Sequence, residues 1–408
     1  MFDVNDIRTQ FPSLSLTDNG KPRYYFDNPA GTQVPATVVT RMADCLLRAN
    51  ANISGYFKTS QLAGAIENEA RAAMADFLNA TSADEIVFGQ NMTSLTFHMS
   101  RSIGRHLQAG DEIVLSRMDH DANVEPWVLM ARDHDLVVRW LPFNTDTFEF
   151  DLDELDDVLS ERTRLVCVGA ASNLTGTIND INTICTKSRD AGAWTYIDAV
   201  QSAPHVVTDV QAIGCDLLVC SAYKFFGPHQ GILWGRREVL EALTPYKVRP
   251  APDELPWCFE PGTQSHEGMA GTAAAVDYFA GIGDAESDRR DRIRKAIEEI
   301  TVYEQALSAK LAGGLASLPG VKVQGITSAM DRRVPTVSFT HAGTAPGEIA
   351  EKLAERNIFA WSGHNYALEA ARALGIEASG GAVRIGAVHY NTSEEIDFVL
   401  CSLEDILS

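Results

Sequence analysis

The chain predicts an α/β protein in which a large domain built on a mostly parallel sheet is followed by a smaller C-terminal α+β domain. Three observations predict it. From about residue 80, short β-branched runs alternate with amphipathic stretches; after about 285 a long charged helical stretch breaks that rhythm; and 408 residues at 45% hydrophobic composition suffice for one large core and a smaller one.

In chain order the runs are EIVFG (85–89), EIVLS (112–116), LVVRWLP (136–142), RLVCVGA (164–170), WTYID (194–198) and DLLVC (216–220). Strands of this kind, separated by helical stretches, belong to a parallel sheet covered on both faces. GILWG (231–235) follows closely enough to be a neighbouring strand of antiparallel sense. The charged stretch AESDRRDRIRKAIEEITVYEQALSAKLAGGLASL (285–318) stops at Pro319-Gly320. A domain boundary is expected at its start, giving an N-terminal segment 1–20 packed on the small domain, a large domain 21–285 and a small domain 286–408. The small domain is read from VPTVSFTHA (334–342), a helix near 346–356, VRIGAV (383–388) and a last helix from Thr392. There is no internal repeat or low-complexity linker, which points to an enzyme rather than a modular interaction protein.

A formal net charge of −21 argues against nucleic acid or an anionic membrane surface as partner. The seven cysteines form no CxxC pair and no His/Cys cluster at zinc-ligand spacing, so reduced thiols and no metal are expected. No segment reaches the roughly 18 apolar residues that span a bilayer, and MFDVNDIRTQFP has no basic stretch followed by an apolar one. The expectation is a cytoplasmic chain.

In open α/β sheets, ligands bind outside the carboxyl ends of the strands. After EIVFG, Asn91 or Thr93 can cap a helix whose N-terminus suits a phosphate, or serve as a plain cap. After WTYI, Asp198 is either a turn residue or a carboxylate that keeps a pyridine nitrogen protonated. After DLLVC comes Lys224, flanked by Tyr223, Phe225 and Phe226; an apolar setting disfavours its ammonium form and frees the amine to attack an aldehyde. Ser221 and Tyr223 add two hydroxyls beside it. After EIVLSRM, His120 is either a loop histidine or a group that stacks on a planar ring and moves protons.

The ordered set DH-DANVEPW, SNLTGTIND, DAVQSAPH and SAYKFFGP resembles the fold-type I pyridoxal-phosphate enzymes of the class V aminotransferase group, and most closely the group II cysteine desulfurases. The likeness runs from about Tyr24 through YNTSEEID. It implies a seven-stranded large-domain sheet, pyridoxal 5'-phosphate as cofactor, an amino-acid substrate and a homodimer. Lys224 resembles the Schiff-base lysine, Asp198 the partner of the ring nitrogen and His120 the stacking and proton-transfer group. Gln201 resembles the donor to the phenolic oxygen. Thr93, Met92 and Ser221 fall on the phosphate side, and Tyr223 stands where many desulfurases carry His. Asn173 resembles a residue near the substrate carboxylate or phenolic oxygen, and Arg384 the arginine that grips the α-carboxylate. Thr263 falls in a segment that reaches the neighbouring subunit's phosphate.

The pattern breaks in one loop. Desulfurases of this type carry a cysteine in an Arg-x-Gly-His-His-Cys-like motif; the matching stretch is WSGHNYA, where Trp361 replaces the arginine, His364 remains and Tyr366 stands at the cysteine. Near the N-terminus, NANISGYFKTS lacks the family's His and Arg. The resemblance therefore implies retained cofactor machinery and altered substrate recognition, with Trp361, His364 and Tyr366 in the substrate pocket. The expected activity is a lyase that eliminates a β-substituent. A class V transaminase or epimerase, and a binding protein that has lost turnover, are the alternatives.

Overall fold

The computed structural model describes residues 3–283 and 286–408. Helices α1 (Ala36–Arg48) and α2 (Lys58–Leu78) precede the central sheet. Its seven strands are β1 (Ile86–Gly89), β2 (Glu112–Ser116), β3 (Val137–Leu141), β4 (Thr163–Gly169), β5 (Trp194–Asp198), β6 (Leu217–Ser221) and β7 (Gly231–Gly235). They lie in the order β1-β7-β6-β5-β4-β2-β3. All but β7 run in one direction; β7, the GILWG run, pairs antiparallel with both β1 and β6.

The strands read as continuous apolar runs because both faces are buried. Val114, Val166, Ile197, Leu218 and Ile232 pack on one face, with Met74 and Phe77 of α2. Their strand neighbours Ile113, Leu165, Tyr196, Leu217 and Leu233 pack on the other, with Leu95, Met99 and Ile103 of α3 (Met92–Gly104). Alternate side chains of a strand point to opposite faces, so each run supplies two cores. Each such aliphatic side chain contributes about 2 kcal/mol by leaving water. Helix α4 (His266–Ile282) is apolar almost all round and is sandwiched against α1 and α2.

Helix α5 (Arg289–Ser317) joins the two halves: Ile293, Ile297 and Ile300 enter the large core, while Leu307, Leu311 and Leu315 enter a second one. The boundary expected at 285 falls on residues outside those described. The second core lies under an antiparallel sheet, β8 (Val321–Val323), β9 (Thr336–His341), β10 (Trp361–Gly363) and β11 (Ala382–Gly386), in the order β8-β9-β11-β10. Helix α6 (Ser393–Leu407) closes it with Ile396, Val399 and Leu403, behind a capping box formed by Thr392 and Glu395. The N-terminal segment touches both halves. Ile7 and Phe11 join the large core, while Arg8 donates to the Tyr390 carbonyl at 2.6 Å and pairs with Glu395 at 2.8 Å.

Candidate active site

Strand register decides what meets at the carboxyl edge of the sheet. Gly169 pairs with Asp198, and Asp198 with Val219, so β4 and β5 end level while β6 runs two residues further. Their following residues, the turn after β2, the start of α3, and β10 and β11 of the small sheet enclose a cavity of about 350 Å³. Met92, Thr93, His120, Asn173, Asp198 and Gln201 line it, as do Tyr223, Lys224, Trp361, Tyr366 and Arg384.

Lys224 sits on a single helical turn (Ala222–Lys224) directly after β6. Its Nζ donates to the carbonyl oxygens of Pro29 and Ala30, at 2.5 and 2.9 Å, and lies 4.7 Å from the centre of the Tyr223 ring. Desolvation, and then the Arg384 guanidinium, push its amine down to about 7. At neutral pH a large share of the amine is therefore free to react.

Asp198, the last residue of β5, is buried and accepts from the Val200 N–H at 2.9 Å. Burial pushes its carboxyl up to about 6. Nearby Asp119, also buried, accepts from Gly169 N at 2.9 Å and from Asn123 Nδ2 at 2.8 Å, latching the turn that carries His120 onto β4. Burial lifts Asp119 to about 7, and the Asp198 charge adds to that. His120 accepts from the Ala122 N–H at Nδ1, and desolvation followed by the Lys224 and Arg384 charges pushes it down to about 3. It is a neutral imidazole at physiological pH, parallel to the Tyr366 ring at 5.5 Å between centroids.

Arg384 comes from β11, is buried, donates to the Asn173 carbonyl at 3.2 Å and lies 3.5 Å from Asp27. Asn28 ties the same segment to β11 by donating to the Gly386 carbonyl at 2.7 Å. Only glycine fits at 386, because any Cβ would collide with the Pro29 ring. That stitch places the carbonyls facing Lys224 and the carboxylate facing Arg384 on one short stretch, Asp27–Ala30. The sequence marked Asp119 only as the neighbour of His120, and it did not mark Asp27, Pro29 or Ala30. The last two act through backbone oxygen, which no side-chain pattern reveals; FDNPAG reads as an ordinary turn.

Several expected residues lie off the cavity wall. Ser221 is fully buried and accepts from Met92 N at 3.0 Å, so it fixes the first turn of α3. The cap of α3 is Asn91, whose Oδ1 accepts from Ser94 N at 2.9 Å, while Thr93 stands one residue inside the helix. His364 accepts from Tyr366 N at 3.0 Å and braces the loop without lining the cavity. Thr263 lies in the loop before α4, along a separate surface cleft.

The lining suits a polar, planar, anionic aldehyde. Three buried polar atoms around it have no hydrogen-bond partner within the chain: Arg384 Nε, a donor that an anionic ligand oxygen would satisfy, and Asn173 Oδ1 and Asn365 Oδ1, acceptors that a ligand N–H or O–H would satisfy. A desolvated lysine at one strand end, beside a buried aspartate at the next and a helix N-terminus, defines an enzyme of the pyridoxal-phosphate class. The comparisons agree. A family model described as aminotransferase class-V matches residues 24–399. A cysteine desulfurase of Dickeya dadantii is 30% identical over 99% of this chain and 97% of its own length. A probable cysteine desulfurase of Mycolicibacterium paratuberculosis is 33% identical, and the chain spans 58% of that longer protein. The apo structure of a cysteine desulfurase from Thermococcus onnurineus NA1 superposes with a TM-score of 0.89 at 28% identity, over 100% of this chain and 98% of the other. The chain belongs to the class V aminotransferase family, whose members depend on pyridoxal phosphate, and it is a cysteine desulfurase-like enzyme. Among the described residues no helix is long and apolar enough to cross a membrane, and no His/Cys/Asp/Glu group could hold a metal.

Proposed function

We propose that this enzyme acts on an amino acid and eliminates a β-substituent, sulfur-bearing ones included, without a persulfide-forming cysteine. One observation carries the reading: among the described residues no cysteine lines the cavity, and Tyr366 lines it at the position where the resemblance calls for that cysteine. Burial pushes the thiols of Cys185 and Cys258 up to about 11, and lifts Cys167 and Cys220 as well. None of these four is a thiolate at neutral pH, and only the thiolate is a competent sulfur acceptor. Cys401 is exposed, but it lies on α6, which contributes nothing to the cavity.

In this reading Lys224 would anchor the cofactor, Asp198 would pair with its ring nitrogen and His120 would stack on its ring. Gln201 serves its phenolic oxygen, and Thr93 with the first turn of α3, fixed by Ser221, serves its phosphate. Tyr223 stands beside Lys224 as a second hydroxyl. Bound there, pyridoxal phosphate supplies an electron sink for charge developed at a substrate α-carbon. Arg384 and Asn173 hold the substrate α-carboxylate and so fix which bond of the α-carbon is presented. The Lys224 amine would take the α-proton, and the low affinity of this site for a proton would let it pass that proton on. The electron pair of the Cβ–X bond leaves with X, which is protonated. The released 2-aminoacrylate reacts with one water to give pyruvate and ammonia. Thr263, outside the cavity, is assigned to a contact with a second subunit of a homodimer.

The test is product analysis of the purified holoenzyme with cysteine, cystine and S-substituted cysteines. Stoichiometric pyruvate and ammonia support elimination. Absence of pyruvate from every β-substituted amino acid removes it, and transfer of the amine to a keto acid, or deuterium entering the α-carbon with the amine retained, would assign the site to transamination or epimerisation.

A further inference from the structure

We infer that the mouth of this cavity is a subsite for a planar, uncharged ring on the substrate side chain, so that the β-substituent eliminated is of the benzyl- or aryl-thioether class. The inference rests on the elimination reading for the identity of the reaction, but on its own geometry for the ring. Trp361 stands directly opposite Arg384 in the antiparallel β10–β11 pair, so the two side chains leave the sheet on the same face, about 5 Å apart. The indole therefore stands beside the guanidinium that the proposed function assigns to the substrate α-carboxylate. Tyr366 forms the second wall, stacked on His120.

The loop holds these rings out at a cost. Asn365 and Tyr366 both take left-handed backbone, φ 53° and 57°, which is an outlier for a bulky residue such as Tyr366. Three hydrogen bonds keep them there: Asn173 Nδ2 to Asn365 O at 2.6 Å, Asp121 N to Tyr366 O at 2.6 Å, and Tyr366 N to His364 Nδ1 at 3.0 Å. Yet Trp361 and Tyr366 remain 55% and 66% exposed, so this backbone conformation does not serve to bury them. Rigid aromatic rings presented at a cavity mouth favour a stacked partner, and sulfur next to an aromatic edge adds to the attraction. The charge pattern fixes the rest. Among the described residues the cationic side chains on the wall are Lys224 and Arg384, both committed by the proposed roles, and His120 is neutral. The acids, Asp119 and Asp198, lie beside the strand ends, away from the loop. Among the described residues the cavity wall offers a charged substituent no ion-pair partner beyond these four groups.

The experiment has a binding arm and a turnover arm, both on holoenzyme. Homophenylalanine and norvaline lack a leaving group and match the shapes of S-phenylcysteine and S-methylcysteine; their affinities are compared by titration calorimetry. The expected result is about tenfold tighter binding of homophenylalanine, the scale of one or two stacked-ring contacts. That gap should shrink in Trp361→Ala and in Tyr366→Ala, and persist in Trp361→Phe and Tyr366→Phe, which keep a ring and control for folding. In the second arm, kcat/KM for pyruvate release is compared between S-benzylcysteine and S-ethylcysteine. Equal affinities in the parent, or a gap untouched by both alanine variants, overturns the inference. A binding gap without pyruvate upholds the ring subsite and removes elimination; pyruvate without a binding gap does the reverse.

Discussion

Asp27 and Arg384 form an ion pair of 3.5 Å beside the cavity, with the arginine buried and the aspartate on the stretch whose carbonyls face Lys224. Asp27 therefore balances the guanidinium, which the proposed function assigns to the substrate carboxylate. Asp27→Asn should lower the stability of the substrate-free protein by about 1–3 kcal/mol, the cost of a buried charge left with weaker partners. Added substrate should raise Tm more in this variant than in the parent. Arg384→Ala should raise KM about 30-fold or more, and Arg384→Lys should restore little of it, because an ammonium does not reproduce the two-pronged contact.

With Lys224 as the proposed cofactor-binding amine, cofactor uptake should follow its titration. The reactive form is the free amine, and its site pushes the amine to about 7 from the ordinary 10.5. Below pH 7 it is protonated and inert; above pH 7 it is free. The rate at which the cofactor-free protein takes up pyridoxal phosphate should rise through about pH 7 and level off above it. A rise centred near 10 would show that the amine is solvated like a surface lysine.

Burial raises Asp119 to about 7 and Asp198 to about 6, both above the ordinary 3.8. The sign follows from proton counting. Between 3.8 and about 7 the folded state holds protons that the unfolded state has lost, so stability falls as pH rises across that window. Urea denaturation of the cofactor-free protein from pH 4 to 7 should show this decline. Asp198→Asn should flatten the part of it that ends near pH 6. The same variant should weaken pyridoxal phosphate binding about tenfold to a hundredfold, the value of a charge-assisted hydrogen bond.

Thiol chemistry separates the proposed reaction from persulfide transfer. Of the seven cysteines, Cys401 is exposed and the other six are buried. Iodoacetamide under native conditions should modify one residue, Cys401, and leave pyruvate formation unchanged. Loss of activity on that alkylation, or a persulfide found by mass spectrometry after cysteine addition, would return a thiol to the mechanism.

Much of this arrangement is visible in the linear sequence because it is local. The β-branched runs mark all seven strands of the large sheet, and residues one to four positions beyond a run, such as Lys224 and His120, fall at its carboxyl edge. Asp198 is the last residue of its strand for the same reason. What escapes sequence reading is non-local. The register that sets Trp361 against Arg384 joins residues 23 positions apart, while Asp27 meets Arg384 across most of the chain and Pro29 meets Lys224 across nearly half of it. Apolar periodicity shows which face of a strand is buried but not which strand lies beside it. Helix α4 shows a related limit: an element buried almost all round has little amphipathic signature to announce where it packs.

The central claim is that the Lys224 amine carries the cofactor. Borohydride reduction of the holoenzyme, digestion and mass spectrometry test it most directly. The account predicts a pyridoxyl adduct on the peptide containing Ser221–Phe226, at Lys224, and none in Lys224→Ala. A label on another lysine, or a stable yellow holoenzyme formed by Lys224→Ala alone, would contradict it.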